Sequence, residues 1–249
     1  LRRTLDYITL HLTRYDSDKT NLIALGALPE KIKIIGNLKN HQVNTIKTER
    51  LIERPYLLLA SSHADEELEF LQQRPESVKQ HLILLAPRHP KRSHDIQHQL
   101  NQLGTEYSVR SLSQPVTNLT EVYLADTLGE LKQFMAHAQV VIMGGSFDQT
   151  GGHNLIEPAN LGCAIITGPS DNNIKQDIEL LGQSRGILQV DSMSSCWDKI
   201  DDLTRNPAKV EALRTGAKAA VLQQSNIGQA YLAEIKLYLS SPKASKQRA

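Results

Sequence analysis

The sequence predicts an α/β fold: a parallel β-sheet with helices packed on both faces. Two observations lead there. Short apolar runs closed by turn residues recur along the 249-residue chain, and stretches with helical spacing separate them. Continuous apolar runs suit strands buried on both faces, as parallel strands are. Alternation of such strands with helices implies right-handed βαβ units.

The predicted strands are, in order, "KIKIIGN" (31–37), "YLLLAS" (56–61), "HLILLAP" (81–87), "EVYLAD" (121–126), "VVIMGG" (140–145), "CAIITGP" (163–169) and "GILQV" (186–190). Helices are expected over 64–74, where Leu68 and Leu71 share a side, and over 93–103, where Ile96, Leu100 and Leu103 recur at i, i+4 and i+7. Similar spacing marks 127–138 and 174–182. The stretch 40–55 reads as a linker, and the polar, basic tail at 240–249 is expected to be disordered.

Composition narrows the function. Hydrophobic residues make up 40% of the chain and charged residues 22%, ordinary values for a globular protein. Aromatic content of 4% argues against a stacking platform for single-stranded nucleic acid, and a net charge of +1 gives no pull toward nucleic acid or an anionic membrane. Cys163 and Cys196 are the only cysteines, so no disulfide framework or four-thiolate zinc site can form, which points to a reducing compartment. No run reaches the ~20 apolar residues of a spanning helix. The chain opens on Leu1 rather than Met, and a piece of a longer product is expected.

In a parallel α/β sheet, ligands bind where loops leave the carboxyl ends of the strands. Four polar loops do so here: "SSH" (61–63), "PRHP" (87–90), "DTLGE" (126–130) and "GGSFDQTGGHN" (144–154). Gly144, Gly145, Gly151 and Gly152 allow either a close backbone approach to an anion such as phosphate or two tight turns. Asn154 and Glu157 have the spacing of a capping box, but Pro158 follows, and its missing N–H spoils a helix capped by Asn154. Glu157 is therefore read as a ligand-facing carboxylate suited to the two hydroxyls of a ribose. Arg88 sits beside His89 between Pro87 and Pro90, and is either a rigid partner for phosphate or carboxylate or part of a solvated basic loop. Thr127 and Glu130 make a capping box, and the Leu128–Gly129 backbone is placed to touch a ligand. His63 either faces solvent or joins the site, while His11, His41, His81, His94, His98 and His137 lack partners at metal-ligand spacing. No HExxH, Walker A or GxSxG motif occurs.

The succession "GNLK" (36–39), "ASSHADEE" (60–67), "APRHP" (86–90), "DTLGEL" (126–131), "GGS…GGHNLIEPANLG" (144–162) and "GP" plus "N" (168–173) resembles the 3-deoxy-D-manno-octulosonic acid (Kdo) transferases. The resemblance runs in order from about Leu5 to the last helix. It implies a GT-B glycosyltransferase, with two Rossmann-like domains facing a cleft, of which residues 43–249 would be the C-terminal donor-binding domain. Residues 1–42 would be a remnant of the N-terminal acceptor domain.

The implied reaction is the inverting transfer of Kdo from CMP-Kdo to a lipid A precursor, at the cytoplasmic face of the bacterial inner membrane, with no cofactor and no metal. Arg88, Asn154 and Glu157 match donor-site positions of the family. Lys39 and Ser62 match positions at or near the cleft, and the four glycines match loops around phosphate and sugar. The catalytic base is expected in the missing domain, so the fragment alone is expected to be inactive. Two rivals stay open: another GT-B enzyme acting on a UDP-sugar, transferase or epimerase, and a nucleotide-binding fragment without catalysis.

Overall fold

The structure, a computed structural model, describes residues 2–38, 47–223 and 226–240. Lys39, the boundary expected at 42/43 and the tail at 241–249 lie outside the described residues. The chain divides into two compact units, residues 47–221 forming one and the residues before 39 together with those from 222 onward forming the other.

The larger unit is built on seven parallel strands: β3 (Tyr56–Ser62), β4 (Leu82–Pro87), β5 (Tyr107–Val109), β6 (Val122–Leu124), β7 (Val140–Met143), β8 (Ile165–Thr167) and β9 (Ile187–Gln189). Their order is β5-β6-β4-β3-β7-β8-β9. Every residue of β3 is buried, and its side chains alternate between two cores. Leu58 and Ala60 pack on one face with Phe134, Ile156 and Ala217. Leu57 and Leu59 pack on the other with Phe70, Ile96 and Trp197. That double burial is why the strands read as unbroken apolar runs. The face with Trp197 is covered by α3 (Glu66–Gln72), α4 (Ser93–Gln102) and α8 (Met193–Arg205), and the face with Phe134 by α5 (Leu131–His137), α6 (Ile156–Asn160) and α7 (Lys175–Gln183); α9 (Pro207–Gln223) sends Leu213 to the Trp197 core and Ala217 to the Phe134 core.

The smaller unit pairs β1 (His11–Thr13) with β2 (Ile32–Ile34) in parallel and adds α1 (Arg2–Asp6), α2 (Asp16–Ala24) and α10 (Ile227–Ser240). Tyr231 Oη donates to the Gly36 carbonyl at 2.9 Å, and Lys33 Nζ meets Glu234 Oε2 at 2.5 Å.

Two local expectations change. The helix expected over 127–138 begins at Leu131, because Thr127 gives its hydroxyl to the Glu130 carboxylate rather than capping a backbone N–H. Glu130 instead pairs with Arg110, which holds its carboxyl below the usual range. Strands β1 and β5 lie outside the predicted runs, since polar residues break the apolar pattern in each, His11 and Thr13 in β1 and Ser108 in β5.

Sheet order places the site. From β3 the chain builds β4, then β5 at the edge and β6 between them, and returns to build β7, β8 and β9 on the other side. The crevice of such a sheet opens at the carboxyl ends of the strands flanking that reversal, here β3 and β7.

Candidate functional site

At its carboxyl end β3 departs from regular pairing. Its register with β4 shifts between Ala60 and Ser62, and Ser61 takes a left-handed φ of 57°. The irregularity turns Ser62 toward β4, where its carbonyl accepts the Arg88 N–H at 2.9 Å. The Ser62 hydroxyl donates to Glu67 Oε1 at 2.7 Å, and Arg92 grips the same buried carboxylate with two bonds of 2.8 and 3.0 Å. Ser62 is thus fully buried and its hydroxyl is spent inside the protein.

The first glycine pair meets a second buried carboxylate. Glu66, 3% exposed, accepts the N–H of His63 and of Gly145, each at 2.8 Å, and of Phe147 at 3.2 Å. Burial pushes its carboxyl up while these N–H groups pull it down, and the net displacement is upward. Gly144 sits so close to β3 that a Cβ would stand 2.6 Å from the Ser62 Cα, so no side chain fits there. The second pair closes the loop: Gly152 donates to the Gly145 carbonyl at 2.7 Å, and a Cβ on it would run into Ile174. Both pairs therefore shape turns, and the cradle at Gly145 is filled by Glu66.

Asn154 Oδ1 accepts the Ile156 N–H at 2.9 Å, two residues ahead. Asn154 therefore has a structural job at the start of α6. Glu157, half-buried, has no capping duty and lies 3.0 Å from Lys132 Nζ on α5. The N–H of Leu155, between them, goes to Asp177, whose carboxyl burial pushes up.

Arg88 and Leu128–Gly129 come together. They wall a cavity of about 170 Å³ with Pro87, Pro90, Thr127 and Phe134. It is smaller than the ~300 Å³ of a drug-sized site, so it suits one ring-sized part of a ligand. Arg88 and His89 are exposed, and the Arg88 guanidinium has no anionic partner among the described residues. Lys132, next to cavity-lining Leu131, links Glu157 to this wall.

Between these groups lies a cluster the motifs did not predict. His63 Nε2 and His153 Nε2 are 2.8 Å apart, their ring planes 21° from parallel. His89 stands 6.0 Å from His63, edge to face. Asp148 Oδ2 is 3.9 Å from His63 Nδ1 and is held by the N–H and hydroxyl of Thr150. Burial opposes ionisation of Asp148, but the Thr150 bonds and His63 prevail and keep its carboxyl below the usual range. Burial, then the neighbouring His63 and Arg88, depress the pKa of His153. Among the described residues no group of three or more His, Cys, Asp or Glu is disposed to hold a metal. The clue to this cluster was available: "SSH" ends β3 and "GGHN" follows β7, and those strands are neighbours.

No protein-family model matches the chain. Among curated proteins it is 26% identical over 228 residues to a 3-deoxy-D-manno-octulosonic acid transferase of Haemophilus influenzae, covering 86% of this chain and 53% of that protein. It is 34% identical over 174 residues to the transferase of that name from Bordetella pertussis, covering 67% and 40%. Among solved structures, the C-terminal CMP-Kdo binding domain of WaaA from Acinetobacter baumannii matches at 28% identity and a TM-score of 0.64, over 68% of this chain and 89% of that one. HepE from Anabaena, crystallised with UDP-glucose, matches at 12% identity and a TM-score of 0.56 over 94% and 64%, which bears on fold alone.

Seven parallel strands with a crevice at the reversal of strand order, and these structural neighbours, define the class: the Rossmann-like part of a GT-B glycosyltransferase. Within that class the chain is a relative of the Kdo transferases, and it spans about half the length of the curated relatives it matches.

Proposed function

We propose that this chain is the donor-binding part of an enzyme that transfers Kdo from CMP-Kdo to a lipid A precursor, with inversion at the anomeric carbon. The observation that carries the reading is the wall formed by Arg88, Leu128 and Gly129, with Glu157 poised beside it on Lys132. In this reading the ring-sized cavity takes the base against the Leu128–Gly129 backbone, and the Glu157 carboxylate accepts the ribose hydroxyls. Arg88 supplies positive charge to the phosphate of the departing nucleotide or to the Kdo carboxylate. Concentrated at a protein surface partly shielded from water, such charge stabilises a leaving phosphate more than it would in bulk solvent.

The general base, the acceptor site and the surface that meets the inner membrane are assigned to parts of the enzyme beyond these residues. No helix among the described residues is long and apolar enough to cross a membrane.

Calorimetric titration of the chain with CMP tests the reading. Glu157→Ala is expected to weaken CMP by more than about tenfold, the loss of a charge-assisted bidentate contact. Unchanged affinity would remove the ribose assignment, and UDP binding more tightly than CMP would favour a UDP-sugar enzyme of the same fold.

A further inference from the structure

A hydrogen bond between two Nε2 atoms 2.8 Å apart needs one proton between them. If both rings were imidazolium, each Nε2 would carry a hydrogen and the contact could not persist. The pair therefore carries at most one positive charge in the arrangement seen here. The basic groups facing the pair are Arg88, which acts on His153, and His89, which stands edge to face with His63. The acidic groups facing the pair are Asp148, 3.9 Å from His63 Nδ1, and Glu66, whose carboxylate is occupied by three N–H groups including that of His63 itself. Both rings are half-buried at the crevice between the ends of β3 and β7, beside the Arg88 side chain.

We propose that the His63–His153 pair is a proton-linked oxyanion site, in which an anionic group of the ligand separates the two ring nitrogens, accepts an N–H from each ring and draws one proton from solvent as it binds. This rests on the reading of the chain as a CMP-Kdo site and names which residues meet the charged middle of that donor. Two oxyanions there share the required chemistry: the phosphate, and the carboxylate of the sugar acid. The balance is simple. The empty pair holds two N–H hydrogens, one at the Nε2 contact on His153 and one on the His63 Nδ1 that faces Asp148; the filled pair keeps both and gains a third on His63 Nε2, so His63 becomes an imidazolium whose charge offsets the ligand's negative charge. Asp148 steadies that charge from the Nδ1 side of His63. A neutral sugar at this position would draw no proton, so the site discriminates for a sugar acid or a nucleotide phosphate.

The test is titration calorimetry of the whole chain at pH 7 in buffers of different ionisation heat, with CMP, cytidine and Kdo as separate probes. The expected result is net proton uptake with CMP or with Kdo that is absent from both His63→Gln and His153→Gln. Protons exchanged by the CMP phosphate itself persist in the variants and so subtract out. CMP affinity of the wild type is expected to fall about tenfold between pH 6 and pH 8.5, and that dependence to flatten in either variant. Uptake with CMP but not cytidine assigns the pair to the phosphate, and uptake with Kdo alone assigns it to the carboxylate. Binding of CMP and of Kdo with the same proton stoichiometry in wild type and both variants overturns the proposal and leaves the CMP-Kdo reading standing. No binding of any of the three probes overturns both.

Discussion

At the end of β7, the N–H groups of Gly145 and Phe147 converge on the Glu66 carboxylate, which also takes the N–H of His63. At the end of β4, two strands away, Arg88 projects beside a cavity and has no anionic partner among the described residues. In sequence the two loops look alike, each a polar turn with glycine or proline after an apolar strand. In the fold the Gly145–Phe147 turn has these backbone donors satisfied by Glu66, and the β4 loop leaves its charge outward. A backbone donor already satisfied is architecture, and an unsatisfied charge beside a cavity is where a ligand gains most.

The sharpest way to break that comparison is to empty the first region. Glu66→Ala orphans three backbone N–H groups, and is expected to cost about 3 kcal/mol or more in denaturant unfolding, read as a lower midpoint at unchanged slope. Glu66→Gln keeps one acceptor oxygen and should cost less. Its pH dependence has a definite sign. A carboxyl whose folded-state pKa is raised contributes stability that is present at low pH and lost as pH rises through the folded value. The gap between wild type and Glu66→Gln should therefore be wider near pH 4 than at pH 7. A cost under about 1 kcal/mol for Glu66→Ala would mean that water replaces the carboxylate and that the cradle is open to ligands after all.

Glycines sharpen the same contrast at smaller amplitude. Gly144→Ala forces a methyl group to within 2.6 Å of the Ser62 backbone, a clash no rotamer can relieve. The expected loss is about 2 kcal/mol, in the range of overpacked sites. Gly129 has φ of +88° but nothing within 4 Å of a built Cβ, so Gly129→Ala meets only backbone strain. That is worth about 1 kcal/mol. Thermal unfolding of the two variants should rank them in that order, while CMP titration should rank them in reverse. Gly129 lines the proposed base cavity and Gly144 does not.

How much of this was legible in the sequence depended on the range of the interaction. Strand β3 announced itself because seven consecutive residues are buried on both faces, whereas β5, Tyr107–Val109 with Ser108 at its centre, left no apolar run. The glycine loop was legible as a turn. What fills it was not, because Glu66 lies 79 positions from Gly145 and His63 lies 90 from His153. Those contacts follow from β3 and β7 being neighbours, a fact of strand order that no local window contains. The local hydrogen bond of Asn154 was missed for a local reason. The capping argument placed the cap directly before the helix, while the side chain reaches the N–H two residues on. Lys132 beside Glu157 carried no signal at all, being one lysine on an amphipathic helix.

The smallest expected effect on stability belongs to the residue with the largest expected role. Arg88 is exposed and makes no ion pair among the described residues, so Arg88→Ala should shift the unfolding free energy by no more than about 0.5 kcal/mol. The same substitution should weaken CMP by about tenfold or more, since it removes a guanidinium that lines the cavity and has no anionic partner among the described residues. Arg88→Lys should recover only part of that loss, because an ammonium cannot reproduce the two-pronged geometry. The dissociation of the two readouts is the informative quantity. If Arg88→Ala lowers stability as much as Gly129→Ala while leaving CMP affinity intact, then the β4 loop is architecture like the Gly145–Phe147 turn, and the outward charge of this sheet edge serves something other than a nucleotide.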